Sequence, residues 1–190
     1  MSAAYRSSSN SFDALEMIVR VSAKLGTKIH LNPAKSLPAD PNPFADWSAH
    51  LFTADRAQYI LVTNTASLYS MVMIGKGITD DCRFLDEVTS YMSEFIRDDG
   101  HTFIFERLIA PSMVHVSFSK ALNRAVTGSM NDLVFQAKVR LIEQEMSPYD
   151  TSLLLNDVPM GYLKYDIPRQ AFLKLTPVED ASSKRLYANQ

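Results

Sequence analysis

Cysteine is nearly absent from this 190-residue chain, with Cys82 as the single thiol, so no intramolecular disulfide can form. That absence favours a reducing compartment. No apolar run approaches the roughly 20 residues that a membrane-crossing helix needs. The segment Met1 to Phe12 is Ser-rich and polar and lacks the hydrophobic core of an export signal. Charge of one sign is lacking as well: the net charge is −2 and the pI about 6.1, so no strong overall field draws the molecule to nucleic acid or an anionic membrane. These absences point to a cytoplasmic protein outside the membrane. What is present is ordinary for a globular domain: 46% hydrophobic and 21% charged residues.

Chemical signatures are scarce too. The histidines His30, His50, His101 and His115 show no spacing of four on a helix, and no Cys-x-x-Cys or His-x-Glu occurs. Zinc needs three or four converging ligands, so no metal and no cofactor is expected. There is no Gly-x-Ser-x-Gly elbow to expose a nucleophilic serine.

Residues 1–16 hold five serines and few apolar groups, which predicts a flexible tail. Residues 17–175 are expected to form a single domain, and 176–190 a polar tail; Met17 is a candidate biological start. Ile18-Val19-Arg20-Val21 reads as a strand. Four prolines between Pro33 and Pro43 predict a stiff surface loop. Strands are expected over 47–53, 58–63 and 68–74, with Asn64 to Ser67 as a turn. Short strands in sequence with short turns favour an antiparallel meander. Phe84, Leu85, Val88, Tyr91, Met92, Phe95 and Ile96 recur at helical spacing over 80–98, capped by Thr79 or Asp80 and stopped by Gly100. Residues 101–110 fit strand or helix, and Val114 to Phe118 reads as a strand. A second long helix covers about 120–145, with a fresh start at Ser129 where Ser129-x-x-Asp132 matches a capping box behind Gly128. Short helices are expected after Pro148 and from Pro168. The expected fold is α+β: a mostly antiparallel sheet of four to six strands, with two main helices packed on one face.

The stretch Phe118 to Asp132 contains Lys120, then Arg124 followed by a small residue, then Gly128-x-Met130-Asn131-Asp132. With Trp47, Leu51, Arg56, the run Tyr59 to Asn64 and Ser67-Leu68-Tyr69-Ser70, it resembles the bacterial and phage domain of unknown function 6933 over about 17–160. The resemblance implies a shared fold and carries no activity.

Several residues are candidates for chemistry. A helix beginning at Ser129 would turn free N–H groups toward an anion, with Arg124, Asn123 and Asn131 adding donors. The alternative is that Ser129 and Asp132 only cap the helix. On a strand, Ser48 and His50 share a face opposite Trp47 and Ala49. Beside Asp46 or Asp55 they hold the atom types of a triad, yet fit equally a strand with Trp47 in the core. Cys82 sits in a first helical turn, where a thiolate would be favoured, and the preferred alternative is a buried or inert thiol. The acids over 80–99 predict a solvated outer face, and Lys120, Arg124, Lys138 and Arg140 are the candidate basic sites.

Two functions follow as expectations. One is a non-catalytic module that binds a protein or nucleic-acid partner, with self-association left open. The other is an enzyme acting on a phosphate-bearing or other anionic substrate through Arg124 and Ser129. Convergence of Arg124, His50 and Asn131 in one concavity would favour the enzyme; their dispersal would favour the module.

Overall fold

The computed structural model describes residues 16–177, so the expectations for the N-terminal tail before Glu16 and for 178–190 lie outside the described residues. The elements are β1 (Glu16–Val21), α1 (Ala23–Lys28), β2 (Asp46–Ala54), β3 (Ala57–Asn64), β4 (Ser70–Ile74), α2 (Asp81–Asp98), α3 (Thr102–Ile104), β5 (His115–Ser119), α4 (Arg124–Ile142), α5 (Pro148–Leu155) and α6 (Pro168–Leu173). The ambiguous stretch after Gly100 is helical: α3 runs on through a π turn, Phe105–Ile109, and a 3-10 turn, Ala110–Val114.

The fold is α+β, and its sheet has five strands in the order β4-β3-β2-β1-β5. β2, β3 and β4 form the expected antiparallel meander, and those ladders hold most of the paired residues. β1 runs parallel to both neighbours, β2 and β5. Parallel partners need a crossover rather than a hairpin. α1 and the proline-rich loop supply it between β1 and β2.

The two main helices, expected on one face, pack on opposite faces. Val19, Trp47, Leu51, Ile60 and Met71 point to the face covered by α2, through Phe84, Val88, Met92, Phe95 and Ile96. Phe52, Leu61 and Val72 point the other way, to Val126, Met130, Leu133 and Ala137 of α4. The cause is the unbroken apolar runs of β3 and β4. Successive side chains on a strand alternate, so Ile60-Leu61-Val62 and Met71-Val72-Met73 place greasy groups on both faces. A single helical layer would leave one set in water.

α4 is continuous from Arg124, with no restart at Ser129. The cap is Asn123, whose side chain accepts from Val126 N at 2.9 Å. Ser129 is buried, and its hydroxyl donates back to Ala125 O at 3.1 Å.

Two ion-paired knots fasten loops to this frame. Arg20 of β1 is 1% exposed and spends every guanidinium N–H. Its Nε and Nη2 each donate to Asp46 at 2.7 Å, Nη1 and Nη2 to the carbonyls of Leu37 and Pro38 at 2.8 Å, and Nη1 to Ser119 Oγ at 3.2 Å. The proline-rich loop is thereby tied to the sheet. In the second knot, Asp99 at the end of α2 accepts from Tyr69 Oη at 2.5 Å and from Arg169 of α6, while Phe172 stacks on Tyr69 at 4.4 Å. Burial pushes Asp99 up. The close approach of His101, the hydrogen bonds from Arg169 and Tyr69, and the Arg169 charge outweigh that and hold it at about 2.

The outer edge of β4 carries substitutes for a neighbouring strand. Ser152 Oγ of α5 accepts from Val72 N at 2.7 Å, and Asn156 pairs with both the N–H and the carbonyl of Ser70, at 2.7 and 3.0 Å.

Candidate functional site

β1 and β5 are adjacent, parallel and end at the same side of the sheet. The helices that follow them depart to opposite faces. Leu25 and Ile29 put α1 on the α2 face, whereas α4 covers the other face. Chain leaving a parallel sheet in two directions opens a crevice at the carboxyl ends of the strands, where open α/β sheets hold their ligands. A cavity of about 590 Å³ lies at this point, within the size range of small-molecule sites.

Its walls come from the end of β1, from α1 and the chain after it, from Ser48 to His50 of β2, from the β5–α4 turn, and from α4. Gly26 is needed for this shape: a Cβ there would stand 2.4 Å from Leu31 O, which belongs to the chain closing one wall. Leu31 N returns to Gly26 O at 2.8 Å and fixes that turn. Arg20, Lys120, His30 and His50 line the cavity, and no carboxylate side chain does. Arg20 has no N–H to spare, so Lys120 and the imidazoles are the ionisable donors a ligand meets, beside the neutral side chains of Ser22 and Asn32.

His50 is half-buried, and its imidazole makes no hydrogen bond among the described residues. Burial lowers its pKa, and the nearby charges of Lys24 and Lys138 lower it further, so it stays neutral at physiological pH. A bound anion would reverse that pressure.

The other sequence candidates do not gather here. Arg124 and Asn131 project from the outer side of α4, seven residues apart and opposite its buried stripe, and both are exposed, as is Asn123. Ser129 turns inward. The expected anion site at a Ser129 helix start does not exist, because in a continuous helix those N–H groups bond within α4. Nor is there a triad: Ser48 Oγ pairs with Thr65 Oγ1 at 2.9 Å, Asp46 is spent on Arg20, and Asp55 lies in an exposed turn. Trp47 is fully buried, with its N–H given to Phe44 O at 2.7 Å.

Cys82 is exposed, and its thiol has the inert character expected as the alternative to a thiolate. The charge of Asp81, followed by slight burial and the charge of Asp80, pushes its thiol up despite the helix N-terminus. The Tyr69–Asp99–Arg169 knot lines neither this cavity nor a smaller one of about 290 Å³ between α4 and Val158–Gly161.

With the crevice described, comparison with known proteins adds one positive finding. Residues 18–171 match the family described as Domain of unknown function (DUF6933). The chain belongs to that family. No curated protein and no solved structure matches it. DUF6933 membership covers all five strands except the first two residues of β1, and it covers the whole crevice lining.

Sequence reasoning reached His50 and put Lys120 and Lys138 among the basic residues, but missed α1 and its turn. The available signal was a β-branched run closing on Ser22-x-x-Leu25, a strand handing over to a capped helix. Ser22 Oγ accepts from Leu25 N at 3.3 Å.

Proposed function

We propose that this DUF6933 chain is a non-catalytic binding module that takes a small anionic ligand in the crevice beyond β1 and β5. One observation carries the reading: among the described residues, with Arg20 neutralised by Asp46, Lys120 is left as the lining cation without an ion-pair partner, and no carboxylate lines the cavity, in a chain whose net charge is −2. A pocket of one sign with low-dielectric walls concentrates the opposite charge. The dispersal of Arg124, Asn131 and Ser129 away from His50 speaks for binding rather than catalysis. So does the absence of a base paired to a nucleophile among the lining groups. The enzyme alternative through Arg124 and Ser129 loses its anion site.

A protein partner is the second reading. Phe135 is 68% exposed on α4 beside the smaller cavity lined by Val158, Pro159 and Met160. A nucleic-acid partner has less support, because Asp132 interrupts the basic residues of α4 and Glu143 follows directly on the helix. We place the module in a bacterial or phage-infected cytoplasm. In support, no helix among the described residues is long and apolar enough to cross a membrane, and the chain has a lone cysteine.

The test is calorimetric titration of the full chain with inorganic phosphate, AMP and octanoate. At least one should bind, and Lys120→Glu should weaken it tenfold or more while leaving the unfolding midpoint within about 0.5 kcal/mol, as expected for an exposed position. Binding of no anion, or equal binding by both proteins, removes the proposal.

A further inference from the structure

The anion-binding reading can be deepened, because the cavity walls restrict the ligand beyond its charge. Val21, Leu31, Ala121, Val126 and Met130 give the crevice an aliphatic wall, while three of its lining hydroxyls, those of Thr27, Ser48 and Thr127, are hydrogen-bonded within the protein. No Phe, Tyr or Trp ring is among the lining residues, although the chain contains 10 Phe and 8 Tyr. Stacking on such rings is a main source of affinity for a nucleobase, and the only rings among the lining residues are the imidazoles of His30 and His50. The charge supply is equally particular. The one guanidinium in the wall, Arg20, is saturated by Asp46, Ser119 and the carbonyls of Leu37 and Pro38. The planar fork that grips a phosphate in two places is therefore missing. What is left is the point charge of Lys120, exposed at the rim, with the half-buried His50 imidazole. A single cation at the mouth of an aliphatic chamber suits a singly charged head on a flexible apolar body. Met130, on an unbranched and polarisable side chain, lets the chamber adapt to such a body.

From this arrangement we infer that the ligand is a medium-chain aliphatic carboxylate, its head at Lys120 and His50 and its chain along Val126 and Met130. The inference rests on the anion-binding reading and goes further by excluding nucleotides.

Affinity of the full-length protein should rise from butanoate to hexanoate to octanoate by about fourfold per methylene, the increment for a CH₂ leaving water. Octylamine, with the same tail and opposite charge, should bind at least tenfold more weakly than octanoate, and so should AMP. Ala121→Trp places a ring into the cavity from an exposed position on its rim. It should abolish octanoate binding without lowering the thermal midpoint. Ala23→Trp, also exposed and on the opposite wall, repeats the test should the first variant fold poorly. A flat chain-length series, octylamine equal to octanoate, or octanoate binding untouched in both filled variants overturns the inference. If AMP or phosphate binds in a Lys120-dependent way and octanoate does not, the ligand class is wrong while the anion site stands. If no anion binds, both fall.

Discussion

The two faces of the sheet solve different problems, and the α2 face has the larger core. The α2 face is closed and aromatic: Phe44, Trp47, Tyr69, Phe84, Phe95 and Phe172 are each buried to within 2% of completely. Aromatic side chains bury large areas and pack edge to face, as Phe44 and Phe172 do at 5.3 Å with planes 80° apart. The α4 face is mainly aliphatic, with the Phe52–Tyr59 stack as its aromatic part, and carries hydroxyl pairs, Ser48 with Thr65 and Thr63 with Ser70, each at 2.9 Å. At its end the packing stops and the crevice opens. Stability is concentrated where the rings interlock, which leaves the α4 end free to keep a cavity.

Breaking the closed side should cost most. Phe95→Ala removes a ring that meets Tyr69, Tyr91 and Tyr149, and should lower stability by about 3–5 kcal/mol in urea unfolding. The fraction still folded should bind anions as before. A loss of binding in that fraction would show that the two sides are coupled.

Arg20→Ala attacks the boundary between them and should cost a comparable 3–5 kcal/mol, because it strands the carboxylate of Asp46 without its partner. Unlike the first variant, it should also release Leu37 and Pro38, seen as faster amide exchange over the proline-rich loop. Unchanged exchange there would mean that the loop is held by something else.

Acid separates the two sides by pH. His50 on the open side has a lowered pKa, so the unfolded chain binds its proton more readily. Stability is then whole above pH 6.5 and falls as pH drops from 6.5 through the lower folded value. Asp99 on the closed side is held at about 2 against an ordinary 3.8, so its contribution is present above 3.8 and is lost only as pH falls toward 2. Urea midpoints against pH should show two steps, and His50→Gln should erase the upper one alone. A profile unchanged by that substitution would contradict the assignment.

The smallest effect sharpens the picture of α4. A Cβ at Gly128 would meet nothing within 4 Å, so Gly128→Ala should stabilise the protein by about 0.5–1 kcal/mol. Destabilisation would mean that the helix does restart at Ser129.

Local patterns were readable, and partnerships between distant segments were not. The α2 stripe from Phe84 to Ile96 declared itself by spacing, and β2, β3 and β4 by short turns. The parallel pairing of β1 with β5 links residues nearly a hundred positions apart, and nothing in either run names the other. Covering of both faces was encoded in Ile60-Leu61-Val62 and went unused. At α4, Gly128 and Ser129 imitate a helix start that Asn123 makes nearly two turns earlier. Of the proposed site residues only His50 reaches the crevice, because the cavity is assembled from a strand end, a turn and two helices that the sequence places far apart.

The carboxamide of Asn156 offers Ser70 the same donor and acceptor that a sixth strand would offer, and Ser152 fills the next rung. Extended polypeptide meeting this flank finds its ladder already occupied, so templated growth of fibrils from β4 is blocked without a proline or a lysine being spent on the task.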